Sequence, residues 1–140
     1  MYATQTDLEE RIDPQLLRAL SDDDADGLAD PDVVAAAIAD ADALIDAHLR
    51  ARYAVPLDSV PDLVKSISAT VAVYFLLTRR SEIVPDVHLK RYEAAIQLLD
   101  HIARGQLALG AGQPASTPNL PQSNRTADDR TFDDDSLKEF

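Results

Sequence analysis

The sequence predicts an all-α protein: a compact bundle of about four main helices, with a long second helix, a buried central helix and an extended C-terminal arm. Three observations lead there. Apolar residues recur at three- and four-residue spacing over most of positions 1–110. Proline and Asp-Pro start signals, with a late glycine stop, punctuate that periodicity. No stretch alternates apolar and polar residues for long enough to argue a substantial sheet. The 140 residues, 46% of them hydrophobic, fit one soluble domain.

The elements follow in order. Thr6 with Glu9 reads as a capping box opening a short helix from Asp7 to about Ile12. Asp13-Pro14 places an N-cap before a proline at the first helical position and starts a piece running from Pro14 to Leu20. An acidic loop, Ser21 to Ala29, comes next. Asp30-Pro31 repeats the start signal and opens the long helix, to about Arg52. Its stripe is Val34, Ala37, Ile38, Ala41, Ile45 and Leu49, with Asp32, Asp40, Asp42 and Asp46 on the wet side. Its alanines let a neighbouring helix approach closely.

Residues 53–61 carry Pro56 and Pro61 and form an extended connection. Pro61 starts the central helix, which runs to about Arg80. Its stretch from Ile67 to Leu77 is apolar apart from Ser68, Thr70 and the Tyr74 hydroxyl. A bilayer span needs about 20 such residues, so this is a core helix. The last helix runs from about Pro85 to Arg104 and is stopped by Gly105. Its stripe is Val87 or His88, then Tyr92, Ala95, Ile96, Leu99 and Ile102.

Composition divides the chain at Gly110. Residues 1–110 form the helical domain, and residues 111–140 form a linker and C-terminal docking arm. Positions 111–130 carry three prolines and few apolar residues. The end, RTFDDDSLKEF, then brings back Phe132, Leu137 and Phe140 as anchors, with Arg130 beside them.

Net charge is −12, from 13 Lys+Arg against 25 Asp+Glu. Residues 1–50 hold 13 acidic and 3 basic side chains, a net of −10, whereas residues 51–110 hold 6 and 7, a net of +1. Nucleic-acid and anionic-membrane surfaces need the opposite sign. An acidic wall past which DNA slides without sticking fits the charge. Arg79, Arg80 and Arg91 are candidates for contacting the acidic half of a neighbouring copy. There is no cysteine, which excludes disulfides, thiolate metal sites and cysteine nucleophiles. The start, Met1-Tyr2-Ala3-Thr4-Gln5-Thr6-Asp7, is not that of a cleaved secretory signal.

The sharpest local pattern is Asp22-Asp23-Asp24-Ala25-Asp26-Gly27. Asp22, Asp24, Asp26 and Gly27 match the opening of a calcium loop, where alternate carboxylates converge on a hard cation. The bidentate Glu that closes such a loop is Val33 here. A solvated acidic turn is therefore the expected reading, with a weak calcium site as its alternative. His48, His88 and His101 lack metal-ligand spacing, the aromatic residues Tyr53, Tyr74, Phe75 and Tyr92 read as core, and no nucleophile elbow or phosphate loop is present. No catalysis and no cofactor is expected.

Taken together, the pieces resemble a known family. A capped start, YATQTDLEERI, precedes the acidic turn LSDDDADGLAD; the long helix contains AIADADALIDAHLRARY, followed by VPL; and RYEAAIQLLDHIARG leads to the linker and RTFDDDSLKEF. Their order and spacing resemble the phage Mu-like head–tail adaptor family of prophages, over nearly the whole chain. The resemblance implies a structural connector of the virion, made in the bacterial host cytoplasm. It implies a homo-oligomeric ring, commonly twelvefold, with portal and tail-completion proteins as partners. DNA is then only the passing genome, and no membrane is involved. The rival from another class is an acidic calcium-responsive or general protein-interaction module.

Overall fold

The computed structural model describes residues 1–80 and 83–110. They form five helices: α1 (Gln5–Glu9), α2 (Pro14–Ser21), α3 (Pro31–Leu49), α4 (Asp62–Arg80) and α5 (Asp86–Ala103). There is no strand among the described residues. The predicted helices are all present. The linker and arm, with Arg130, Phe132, Leu137 and Phe140, lie outside the described residues.

Local chemistry sets most helix ends. The Asp13 carboxylate accepts a hydrogen bond from the Gln15 backbone N–H at 2.7 Å, capping α2 ahead of Pro14. The first cap corrects the sequence reading. Thr4, not Thr6, is the N-cap of α1, and the box is closed by Asp7 rather than Glu9. The Thr4 N–H donates to Asp7 at 2.7 Å, and the Asp7 N–H donates back to the Thr4 hydroxyl at 3.4 Å. The shorter Asp side chain reaches the cap from the third helical position as a Glu would. At the far end, α5 closes where Gly105 takes φ +76° and the Gln106 N–H reaches the His101 carbonyl at 2.9 Å.

Helix α4 is the axle. It packs against each of the other four helices and buries Val64, Ile67, Ser68, Ala69, Val71, Ala72, Val73, Leu76 and Leu77. Helices α3 and α4 pack against each other, and both bury alanines, at 37 and 41 and at 69 and 72, whose small side chains leave room for a close approach. All six predicted stripe residues of α3 are buried. On α5 the buried set is Ala95, Leu99 and Ile102, with Tyr92 and Ile96 packed at its edge. Val87 is 51% exposed and lies outside the stripe.

The N-terminal strap closes the bundle in a way the periodicity did not indicate. Tyr2 and Ala3 are buried. The Tyr2 N–H donates to Asp42 at 2.8 Å, its hydroxyl donates to Asp46, and that hydroxyl also accepts the Leu57 N–H at 3.0 Å. Asp42 takes a further bond from the buried Ser68 hydroxyl at 2.7 Å. Asp42 and Asp46 are therefore half-buried polar anchors, not members of a wet face, whereas Asp32 and Asp40 are exposed as expected. Burial and the Asp46 bond push the Tyr2 phenol up to about 12.

Candidate functional site

Two places carry concentrated polar chemistry: the acidic turn between α2 and α3, and a groove between α4 and α5.

The turn begins where α2 ends at Ser21, whose buried hydroxyl donates to the Leu17 carbonyl at 2.8 Å. Asp22 then accepts the Gly27 N–H on Oδ2 at 2.9 Å, and Asp24 accepts the Asp26 N–H at 3.1 Å. Asp26 accepts the Leu28 N–H at 2.8 Å, and Asp30 accepts the Asp23 N–H at 2.8 Å. Each carboxylate spends one oxygen on folding the loop. Gly27 takes φ +83°, which glycine adopts without a Cβ penalty; Ala25 takes φ +61°.

Oxygens of Asp22, Asp24 and Asp30 lie within 4.8 Å of one another. The sequence reading grouped Asp22, Asp24 and Asp26. Asp26 does not join the cluster, and Asp30 takes its place. Asp30 is also the expected cap of α3, but it makes no side-chain cap bond there. Its carboxylate is turned into the loop instead. Asp22 Oδ1 is buried and has no hydrogen-bond partner. Like-charged groups gathered this closely repel, and a hard cation is the chemistry that relieves them.

Asp23, between two members of that trio, points away from it. Arg79 donates to both Asp23 oxygens, one bond at 3.0 Å, and Arg80 donates to the same carboxylate and to the Asp22 carbonyl. These bonds hold the Asp23 carboxyl down at about 2 and raise Arg79 above its already high value. Arg79 and Arg80, two predicted interface cations, thus engage the acidic half of their own chain. The spacing of more than fifty residues hid the pair from sequence reasoning. So was the contact of His48 Nε2 with Asp100 at 3.7 Å, which links α3 to α5.

The groove is a cavity of about 270 Å³ bounded by the α1–α2 junction, α4 and α5. Ile12, Leu63, Ile67, Val73 and Leu98 form its apolar walls, Arg11 and Arg91 supply its charge, and His88 lies beside them. Arg11 is fixed across it, donating to Ser66 at 3.0 Å and Thr70 at 3.3 Å. Burial and the neighbouring Arg91 guanidinium push His88 below its ordinary value. Arg91, the third predicted interface cation, sits here. The aromatic set behaves as core and core edge: Tyr53 is buried, and Tyr74 stacks on Tyr92 with centroids 4.1 Å apart.

Among the described residues no helix is long and apolar enough to cross a membrane.

Comparison with known proteins places this arrangement. The chain is 33% identical over 81 residues to the Mu-like prophage FluMu protein gp36 of Haemophilus influenzae, a match covering 58% of this chain and 55% of that one. It is 42% identical over 76 residues to gene product J of Escherichia phage Mu, covering 54% of each. These alignments span about half the length of both relatives. Residues 2–127 match the family described as Bacteriophage Mu, Gp36, which takes in the five helices, the acidic turn and the groove. The chain belongs to the bacteriophage Mu Gp36 family.

Proposed function

We propose that this protein is a structural head–tail connector of a tailed phage or prophage, forming an oligomeric ring between portal and tail. The observation that carries the reading is the family match over residues 2–127; the sequence pieces within that stretch, with RTFDDDSLKEF beyond it, resemble head–tail adaptors in their order. The charge distribution supports it. Residues 1–50 carry a net of −10, a surface past which DNA moves without being held. In this reading the protein's partners are other copies of itself, the portal and tail-completion proteins. The genome only passes, no membrane is bound, and no catalytic step is assigned. The arm of residues 111–140 docks on a neighbouring subunit or the portal.

Removing the gene from an inducible prophage tests the proposal. Filled heads and complete tails that fail to join, with joining restored by the supplied protein, is the expected outcome. Joined particles without the protein would overturn it. Purified protein incubated with portal assemblies should add a ring visible by electron microscopy.

A second reading, a calcium-responsive interaction module, is favoured by the convergence of Asp22, Asp24 and Asp30 and the unpartnered Asp22 Oδ1. Val33 stands where a bidentate Glu closes a tight loop, so affinity near the millimolar range is expected. A calcium titration by calorimetry separates the readings. Sub-micromolar binding lost on Asp22→Ala or Asp24→Ala would favour the calcium-responsive module, and millimolar binding fits the connector.

A further inference from the structure

In a chain of net charge −12, the groove between α4 and α5 departs from the rest of the molecule. Arg11, His88 and Arg91 line it and no carboxylate does. Its walls are apolar, its volume of about 270 Å³ is on the scale of one or two large side chains, and Leu98 stands at its edge 36% exposed. Arg91 and Ala94 are exposed, so the groove is open to a ligand from solvent. The chemistry it fits is an acidic peptide with large apolar side chains.

The chain carries such a peptide outside the described residues. Thr131–Phe140 holds Asp133, Asp134, Asp135 and Glu139 against one basic residue, Lys138, a net of −3. Phe132, Leu137 and Phe140 flank those charges. Among the described residues the exposed large hydrophobic side chains include no aromatic, so the chain's aromatic anchors for a partner lie in this segment. Reach is no obstacle. Nineteen residues, 111–129, separate Gly110 from Arg130, up to about 60 Å when extended. From the end of α5 back to Arg91 is twelve residues of helix, about 18 Å.

We infer that in the unassembled protein the groove is the seat of the chain's own C-terminal segment, residues 130–140. A phenylalanine enters between Ile67 and Leu98, and the Asp133–Asp135 run lies against Arg11 and Arg91. Tethering favours the chain's own segment over a second copy, because linkage holds the segment at an effective concentration on the millimolar scale. The seat keeps the anchors covered until assembly offers another site. This inference concerns the isolated chain and stands apart from the connector reading.

The absence of cysteine gives a clean test on the full-length chain. Ala94→Cys on the groove is paired with Ser136→Cys or Asp134→Cys in the segment, and Ala39→Cys on the exposed side of α3 serves as the control position. Mild oxidation of dilute protein should give an intrachain disulfide at Ala94→Cys at least fivefold faster than at Ala39→Cys. Arg91→Glu, or Phe132→Ala with Phe140→Ala, should reduce that rate severalfold, and Arg91→Lys should restore it; circular dichroism confirms that each variant is folded. Equal rates at the two positions would overturn the inference. So would a disulfide formed only between chains, which would assign the groove to a second copy.

Discussion

Arg79 grips the Asp23 carboxylate through both of its terminal nitrogens, tying the last turn of α4 to the loop that joins α2 and α3. Arg80 reaches the same carboxylate. The contact fixes one side of the acidic turn, leaving Asp22, Asp24 and Asp30 to converge on the other. A loop that would otherwise repel itself is thus anchored by two cations at a helix C-terminal end, where the dipole already favours them.

The grip makes stability depend on acid. Asp23 titrates near 2 in the folded protein, below its ordinary value of 3.8. A carboxyl depressed on folding contributes stability above its unfolded value and loses it as pH falls through 3.8 towards 2. Asp23→Asn should therefore lower the melting temperature at pH 7, with the deficit shrinking across that window. Melts at pH 7, 4, 3 and 2 check this; a deficit constant with pH would refute the ionic origin.

Tyr2 sets the alkaline limit. Its phenol is raised to about 12, so the neutral form stabilises the fold below pH 10 and that contribution is lost as pH climbs from 10 to about 12. Tyr2→Phe leaves Asp46 and the Leu57 N–H without their shared partner. The expected cost is about 1–3 kcal/mol at neutral pH. Urea unfolding of both proteins at pH 7, 10 and 11 measures it, and the difference should narrow at the highest pH.

Core and edge of α5 should separate cleanly. Leu99 is fully buried, and Leu99→Ala is expected to cost about 2–5 kcal/mol. Val87 is 51% exposed, and Val87→Ala should stay within about 0.5 kcal/mol of the parent. Chemical denaturation of the two variants gives the comparison directly.

Gly105 is constrained by its backbone conformation. Its φ of +76° disfavours any side chain, whereas the Arg52 guanidinium that a Cβ there would meet is the end of a flexible side chain and can swing aside. Gly105→Ala should destabilise by roughly 1–2 kcal/mol. The loss should appear as faster amide exchange at the end of α5. Gly110, at φ +69° with open space around it, should lose less when replaced by alanine.

The helices themselves were legible because short-range chemistry decides them. Asp13-Pro14, the apolar stripe of α3 from Val34 to Leu49, and the Gly105 stop all act within a few residues, and each appears in the fold where the sequence placed it. The acidic turn was also visible as a run of aspartates. Its membership was not, because whether Asp26 or Asp30 joins Asp22 and Asp24 depends on which backbone N–H groups the loop presents once it has closed. The first capping box was misplaced by two residues for a related reason: Thr4–Asp7 and Thr6–Glu9 satisfy similar spacing, and the docking of Tyr2 on α3 accompanies the first.

Tertiary structure alone decided the long-range pairings. Arg79 with Asp23, His48 with Asp100, and Tyr2 with Asp42 and Asp46 are each separated by forty or more residues. Nothing in local periodicity distinguishes a charge that meets such a partner from one left in water. The groove has the same origin, since Arg11, His88 and Arg91 come together only when the start of the chain and α5 both pack against α4. Periodicity determines which face of each helix is apolar; packing four helices around α4 determines which charges end up beside one another.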